Sequence, residues 1–270
     1  MSDTVLDRIV SDVRRRLDSI PEEPALEAAA RAAVETRREA GLRSLERALS
    51  VPGPSLIAEC KKASPSAGVI REDFDAAALA RAYAAGGAAA ISVVTEPRSF
   101  QGKPRWLVDV RRAVDLPVLR KDFILTRRQL FETAVLGADA VLLIARILEE
   151  ETLADLLHLA AELELEVLLE IFADEDPTKA AASGALILGV NARDLATFEV
   201  SLDRVEAIAA ELPADRLRVA ESGIHGGGDL ERLHTAGYDG FLVGEHLVRS
   251  ADPEGAVREL VGHGHGNGKR

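Results

Sequence analysis

Eight short apolar runs recur along this chain: Ser55 to Cys60, Ala89 to Val94, Pro117 to Arg120, Ala138 to Ile144, Glu166 to Ile171, Leu186 to Val190, Leu217 to Ala220 and Gly240 to Val243. Each is too short for a helix, rich in Val, Ile and Leu, and not alternating, as a strand covered on both faces should be. Between them lie stretches rich in alanine, leucine and charge. Asp75 to Ala85, Arg127 to Leu136, Glu149 to Glu164 and Leu202 to Glu211 have helical periodicity, with Gly86, Gly137 and Pro213 at or just after their ends. Strands alternating with helices imply parallel pairing and right-handed crossovers, and eight such units close most naturally into a single (β/α)8 (TIM) barrel. The rival is a doubly wound open sheet. It would be favoured by a glycine fingerprint after the first strand, but Cys60 is followed by Lys-Lys-Ala-Ser-Pro-Ser.

The first fifty residues do not follow this repeat. Leu6, Ile9, Val10, Val13 and Leu17 fall on one helical face, Pro21 and Pro24 break the chain, and a second helix is expected over Ala25 to Leu49. The expected organisation is therefore a helical extension over 1–54 capping the barrel, the barrel over 55–261, and a disordered Gly/His-rich tail over 262–270. His263 and His265 lack a third ligand for a metal. Gly226-Gly227-Gly228 reads as a flexible entry to the last full helix, starting near Asp229.

Composition excludes several classes of partner. With 270 residues, 47% hydrophobic and 29% charged, the chain can bury a sizeable core. A formal charge of -12 argues against nonspecific affinity for nucleic acid or anionic lipid, so an anionic substrate must meet a locally positive site. The single Cys60 cannot form an internal disulfide, charges are scattered through Met1 to Ser19, and no apolar run approaches the roughly 20 residues of a membrane span. These features predict a cytoplasmic protein.

In a barrel the strand C-termini converge on one rim, so the residues just after each run should share a site. The first run offers Glu59, Lys61 and Ser64; the second Thr95 and Glu96; the third Lys121; the fifth Glu170; the sixth Asn191 and Arg193; the seventh Glu221, Ser222 and Gly223; the eighth Gly244 and Glu245. A strand end is also where polar residues return to solvent, but that explains poorly two glutamates, Glu59 and Glu170, set inside apolar runs. Two lysines and two glutamates provide proton donors and acceptors suited to chemistry on a carbonyl. Glu221-Ser222-Gly223-Ile224 and Val243-Gly244-Glu245 sit where barrels commonly bind phosphate, which points to a phosphate ester. Alternatively, Gly223 and Gly244 only permit tight turns.

Other signatures are missing from the sequence: no Gly-x-Ser-x-Gly elbow, no Walker loop, no His-Glu-x-x-His and no Cys-His cluster. His158, His225, His234 and His246 are scattered and read as surface residues. The expectation is no metal and no redox cofactor.

Taken in order, the rim segments resemble the indole-3-glycerol phosphate synthase family of tryptophan biosynthesis. The matching stretches are Ile57 to Ser66, Ser92 to Glu96, Pro117 to Ile124, Asp139 to Ile144, Leu169 to Ile171, Gly189 to Leu195 and Val219 to Ile224. The helical N-terminal extension fits as well. The resemblance implies a substrate, 1-(2-carboxyphenylamino)-1-deoxyribulose 5-phosphate, that is decarboxylated and dehydrated to close the indole ring. By analogy Lys121 is the general acid on the ketone oxygen, and Glu170, Glu59 and Lys61 share the remaining proton transfers. Asn191 is expected to bind a substrate hydroxyl or to orient Glu59, and Arg193 to meet the substrate carboxylate. Lys61, Ser222, Gly223 and Gly244 would hold the phosphate, with Ser64 and Glu221 also on the substrate. Pro65, Phe100, Phe123, Leu142 and Leu195 match positions that enclose the anthranilate ring.

Glu245 departs from relatives that carry Ser or Thr there, so its side chain is expected to turn away. The resemblance leaves the oligomeric state as a monomer or weak homodimer. Two other readings stay open on sequence: a Schiff-base aldolase using Lys121 as nucleophile, and a barrel that has lost catalysis and binds a partner or ligand.

Overall fold

The computed structural model describes residues 4–20, 24–173, 177–194 and 199–264. Three helices precede the barrel: α1 (Val5–Asp18), α2 (Pro24–Ala40) and α3 (Leu45–Leu49). Strand β1 (Ser55–Cys60) leads into a small hairpin, β2 (Ala63–Ser64) and β3 (Gly68–Val69), and then α4 (Ala76–Gly86). The alternation continues through β4 (Ala90–Val94), α5 (Pro104–Ala113), β5 (Val118–Lys121), α6 (Arg127–Val135), β6 (Ala140–Ile144) and α7 (Glu150–Glu162). It ends with β7 (Glu166–Phe172), α8 (Pro177–Ala182), β8 (Ile187–Asn191), α9 (Leu202–Ala209), β9 (Leu217–Glu221), α10 (Gly227–Thr235), β10 (Gly240–Val243), α11 (Glu245–Arg249) and α12 (Pro253–Gly264).

Eight strands, β1 and β4 to β10, close into a parallel barrel when β1 pairs with both β4 and β10. Side chains alternate across its wall with period two. Leu56, Ala58 and Cys60 face the helices with Ile91, Val93, Val141, Leu143, Leu188, Val190 and Phe241. Ile57, Ala90, Leu119, Ala140, Leu142, Leu168, Ile187, Val219 and Leu242 fill the interior. Both faces are apolar, which is why the runs read as continuous rather than alternating.

The extension runs the length of the barrel. Helix α1 contributes Leu6, Ile9, Val10 and Val13 to the apolar cluster at the rim. Helix α2 packs against α6 and is fixed at the opposite end by Arg37, 5% exposed, whose NH1 donates to the carbonyls of Ala138 (2.9 Å) and Glu164 (3.2 Å) and whose NH2 donates to Leu163 O. Seventeen residues at 1.5 Å each give α2 a span of about 25 Å, enough to travel between the two ends. Leu45 and Leu49 of α3 then close the floor, where Leu49 packs so tightly on Gly240 that a Cβ there would lie 2.9 Å from Leu49 Cδ2. Burial of each leucine contributes about 1.5–3 kcal/mol.

Three expectations need correction. The helix expected over Ala25 to Leu49 is two helices, because Gly41 takes a left-handed φ of 87° and Ser44 caps a new start, turning the chain under the floor. Gly226 is an N-cap, helix α10 already begins at Gly227, and α11 and α12 follow it, so it is not the last. Residues 262–264, expected in the tail, belong to α12, and residues 265–270, including His265, lie outside the described residues.

Candidate active site

The inward-facing series of five strands changes from apolar to polar as it reaches the C-terminal rim. Ile57 is followed by Glu59 and Lys61, Leu119 by Lys121, Leu168 by Glu170, Ile187 by Gly189 and Asn191, and Val219 by Glu221. Register sets them in two successive layers: Glu170 pairs with Gly189 and Gly189 with Val219, while Asn191 pairs with Glu221. Glu59, Lys121, Glu170 and Glu221 are each the next inward position after a core residue, and Lys61 and Asn191 lie one inward position further on. Strand parity, more than loop conformation, aims them into the site.

Lys121 lies at the centre. Its Nζ donates to Glu170 Oε2 and to Glu221 Oε2, both at 2.9 Å. Both carboxylates are nearly inaccessible, Glu170 at 2% and Glu221 at 1%, while the lysine side chain keeps 18% exposure toward the cleft. Burial alone would push the Lys121 pKa down, but Glu170, Glu221 and the more distant Glu59 outweigh it and hold the amine above its ordinary range, as an ammonium. Glu221 is pushed up to about 8, by burial first; Lys121 opposes that rise, and the neighbouring Glu170 carboxylate adds to it.

A second ammonium–carboxylate pair stands on the opposite wall. Lys61 Nζ is 2.6 Å from Glu59 Oε1, and Glu59 is 1% exposed. Burial raises the Glu59 pKa, but Lys61 and Lys121 lower it more, so the net direction is down and the group is a carboxylate. Gly244 leaves the space this pair occupies, since a Cβ there would meet Glu59 Oε1 at 2.3 Å and Glu59 Cβ at 3.2 Å. Gly244 is also the N-cap of α11, whose first N–H groups have no partner within the helix. Beside it the chain after β9 turns through two left-handed residues, Ser222 at φ 69° and Gly223 at φ 76°. A non-glycine residue in that region is uncommon and costs about 1–3 kcal/mol, a strain that clusters at functional turns. The Glu245 side chain turns to Arg249, accepting from its Nε at 3.0 Å.

The remaining wall is apolar. Phe100 and Phe123 face each other with ring centroids 6.1 Å apart, and Leu142, Ser64 and Pro65 line the same cleft. Lys121, Glu170, Glu59, Lys61, Asn191, Arg193, Glu221, Ser222, Gly223 and Gly244 line it too, with Glu96 and Glu245, whereas Thr95 does not, its hydroxyl donating to buried Asp122 at 2.6 Å. Leu195 lies outside the described residues. Of the two roles expected for Asn191, a bond to a substrate hydroxyl or to Glu59, the second is not seen: its Nδ2 donates to Glu170 Oε1 at 3.2 Å. The reason is topological, because β8 adjoins β7 and is separated from β1 by β9 and β10. Asn191 Oδ1 in turn accepts the Arg193 N–H at 3.0 Å.

Sequence reasoning missed several lining residues. Val5, Leu6 and Ile9 of α1 reach the cleft, as do Ser66, Asp122, His225 and His246. The amphipathic pattern of α1 revealed an apolar face but not what it covers. His225 and His246, read as surface residues, sit at the mouth beside the Ser222–Gly223 turn and Gly244, and their positions after Ile224 and Glu245 were the available signal. Among the described residues no cluster of metal-ligating side chains is present.

Fold and site together define a (β/α)8 barrel with buried carboxylates paired to two lysine ammonium groups at its C-terminal rim. Solved structures with the same fold include a thiamine phosphate pyrophosphorylase from Pyrococcus furiosus (TM-score 0.61, 17% identity, 82% of this chain and 98% of that one) and a 3-hexulose-6-phosphate synthase (TM-score 0.61, 19% identity, 77% and 99%). At those identities the likeness is one of fold. The profile of the family described as indole-3-glycerol phosphate synthase matches residues 6–260. Relatives carrying that name include proteins of Mycobacteroides abscessus, 44% identical over 96% of this chain and 93% of the relative, and Geobacillus thermodenitrificans, 44% identical over 98% and 99%. The chain belongs to the indole-3-glycerol phosphate synthase family.

Proposed function

We propose that this barrel closes the indole ring of 1-(2-carboxyphenylamino)-1-deoxyribulose 5-phosphate with Lys121 as the general acid. The family assignment makes the chain a decarboxylating carbon–carbon lyase of tryptophan biosynthesis. The observation that carries the residue roles is the Lys121 ammonium held at 2.9 Å by two buried carboxylates and still facing the cleft. A proton is delivered to the ketone oxygen as the ring carbon bearing the carboxylate attacks the ketone carbon, so the new C–C bond forms without a free oxyanion. The C–COO bond then breaks, its electrons restore aromaticity, and carbon dioxide leaves. Loss of the new hydroxyl as water, with a proton from the adjacent carbon, completes the ring. Glu170, Glu59 and Lys61 share these last transfers from opposite walls.

Binding follows from the same geometry. The Ser222–Gly223 turn, Gly244 and Lys61 suit the phosphate, Arg193 suits the substrate carboxylate, and Phe100, Phe123, Leu142 and Pro65 suit the aromatic ring. Ser64 and Glu221 complete the substrate contacts. The raised Lys121 pKa argues against the aldolase alternative, because a Schiff base requires the neutral amine. We read the enzyme as cytoplasmic, acting on a small phosphorylated substrate as a monomer or weak homodimer; no helix among the described residues is long and apolar enough to cross a membrane.

Carbon dioxide release measured alongside indole absorbance, in the presence of borohydride, tests the scheme. The expected result is one carbon dioxide per indole formed and no trapped adduct at Lys121. A borohydride-stabilised adduct with loss of activity would replace the scheme with the aldolase reading.

A further inference from the structure

We infer that Glu96 is a positioning residue for this reaction: its buried carboxylate sets the loop that carries Phe100, and through Phe100 the grip on the substrate's aromatic ring. The inference rests on the proposal that Phe100 and Phe123 wall that ring.

Glu96 follows β4 and is 2% exposed, yet no step above uses it. Its carboxylate is committed to the loop that it begins. Oε1 accepts the Arg98 N–H at 2.9 Å, while Oε2 accepts the Ser99 N–H at 2.6 Å and the Phe100 N–H at 3.0 Å. Three N–H groups converging on one anion form a concavity of the kind that binds free anions elsewhere, here filled by the chain's own side chain. The loop then closes on its starting point. Gln101 takes a left-handed φ of 51°, and the Gly102 N–H donates to Glu96 O at 2.7 Å. Only glycine fits that closure, since a Cβ on Gly102 would lie 2.6 Å from Val94 O and 2.8 Å from Glu96 O.

The facing ring hangs from a second buried carboxylate. The Phe123 N–H donates to Asp122 Oδ1 at 2.9 Å, and Asp122 Oδ2 accepts from Thr95 Oγ1 at 2.6 Å and Arg120 NH2 at 3.0 Å. Thr95 is the residue before Glu96, so the supports of the two rings are joined. Bonds to a charged acceptor are the stronger kind, and a loop freed from them must be ordered by the substrate itself. Such a cost falls on binding more than on the chemical step, so it raises KM and spares kcat.

The test is a double-mutant cycle of Glu96→Gln and Phe100→Ala, with kcat, KM and thermal midpoint measured for each form. Glu96→Gln is nearly isosteric and keeps one acceptor oxygen, but turns an NH2 donor toward loop N–H groups; Glu96→Ala removes the acceptor and serves as the stronger variant where it folds. Expected for Glu96→Gln is a KM raised about tenfold, or about 1.4 kcal/mol, with kcat within about threefold. In the Phe100→Ala background the same change should cost no more than about twofold, because the group it positions is gone. Effects that multiply in the double variant, or a Glu96→Gln enzyme with wild-type KM, would overturn the inference while leaving the aromatic wall standing. A fall in kcat and thermal midpoint without a KM change would assign Glu96 to stability alone. Phe100→Ala with unchanged KM would overturn the wall and the inference with it.

Discussion

Gly189→Ala should disarm the site from a position that never touches substrate. Gly189 lies in β8, level with Glu170 on β7 and Val219 on β9, and the missing side chain leaves the space that Glu221 fills. An alanine Cβ would lie 2.2 Å from Glu221 Oε1 and 3.2 Å from Leu168 Cδ1. A tolerable contact requires Glu221 to retreat by about 1 Å, since packed interiors do not accept closer approach and the strands around it are fixed on both sides. Its other oxygen is the one 2.9 Å from Lys121. Loss of that hydrogen bond from the charged amine costs about 1.5–3 kcal/mol, a substantial part of a typical domain's 5–15 kcal/mol. A 1 Å misplacement of the acid should lower turnover about a hundredfold. Urea unfolding and indole formation read the two effects. Glu221→Asp, one methylene shorter, should relieve much of the Gly189→Ala defect when the two are combined. Wild-type stability and turnover in Gly189→Ala, or a double variant worse than the sum of its parts, would refute the argument.

Gly244→Ala should act on the opposite wall, pushing Glu59 off Lys61 and costing about 3–5 kcal/mol, as breaking a buried ion pair does; a KM for phosphorylated substrate that does not rise would count against it. Stability should depend on pH through Glu221. Because its folded pKa is raised to about 8 from 4.5, the folded state keeps a proton that the unfolded chain releases, so this group's contribution falls as pH rises across that window. Glu221→Gln should flatten that decline in urea midpoint, and an unchanged slope would reject the assignment. Arg37→Met should cost about 2–4 kcal/mol, since it strips buried carbonyls of a charged donor, while kcat stays near wild type. A midpoint shift below about 0.5 kcal/mol would mean that α2 is held by packing alone.

Much of this architecture was legible because parallel strands buried on both faces have an unmistakable composition. The runs Ser55 to Cys60 and Gly240 to Val243 coincide with β1 and β10, and the others differ by one or two residues at an end. The site followed from one rule of barrel geometry, that polar residues at strand C-termini meet. What stayed hidden depends on closure. Asn191 could not be assigned to Glu170 until β8 was known to lie beside β7 and away from β1. The contribution of Val5, Leu6 and Ile9 required knowing where α1 docks, and periodicity says only that a face is apolar. The break at Gly41 was present in the sequence as a C-terminal glycine, but a long alanine- and arginine-rich stretch on both sides masked it. Glu96 looked like one more rim carboxylate. Its commitment to three backbone N–H groups depends on the path of the loop, which no spacing reveals.

If Lys121 delivers the proton for ring closure, indole fluorescence on mixing the purified enzyme with 1-(2-carboxyphenylamino)-1-deoxyribulose 5-phosphate should show product from the wild type and a rate lower by about 10²–10⁴ from Lys121→Ala, the usual worth of a positioned general acid. Equal rates from the two proteins would contradict that role and move the acid to another residue.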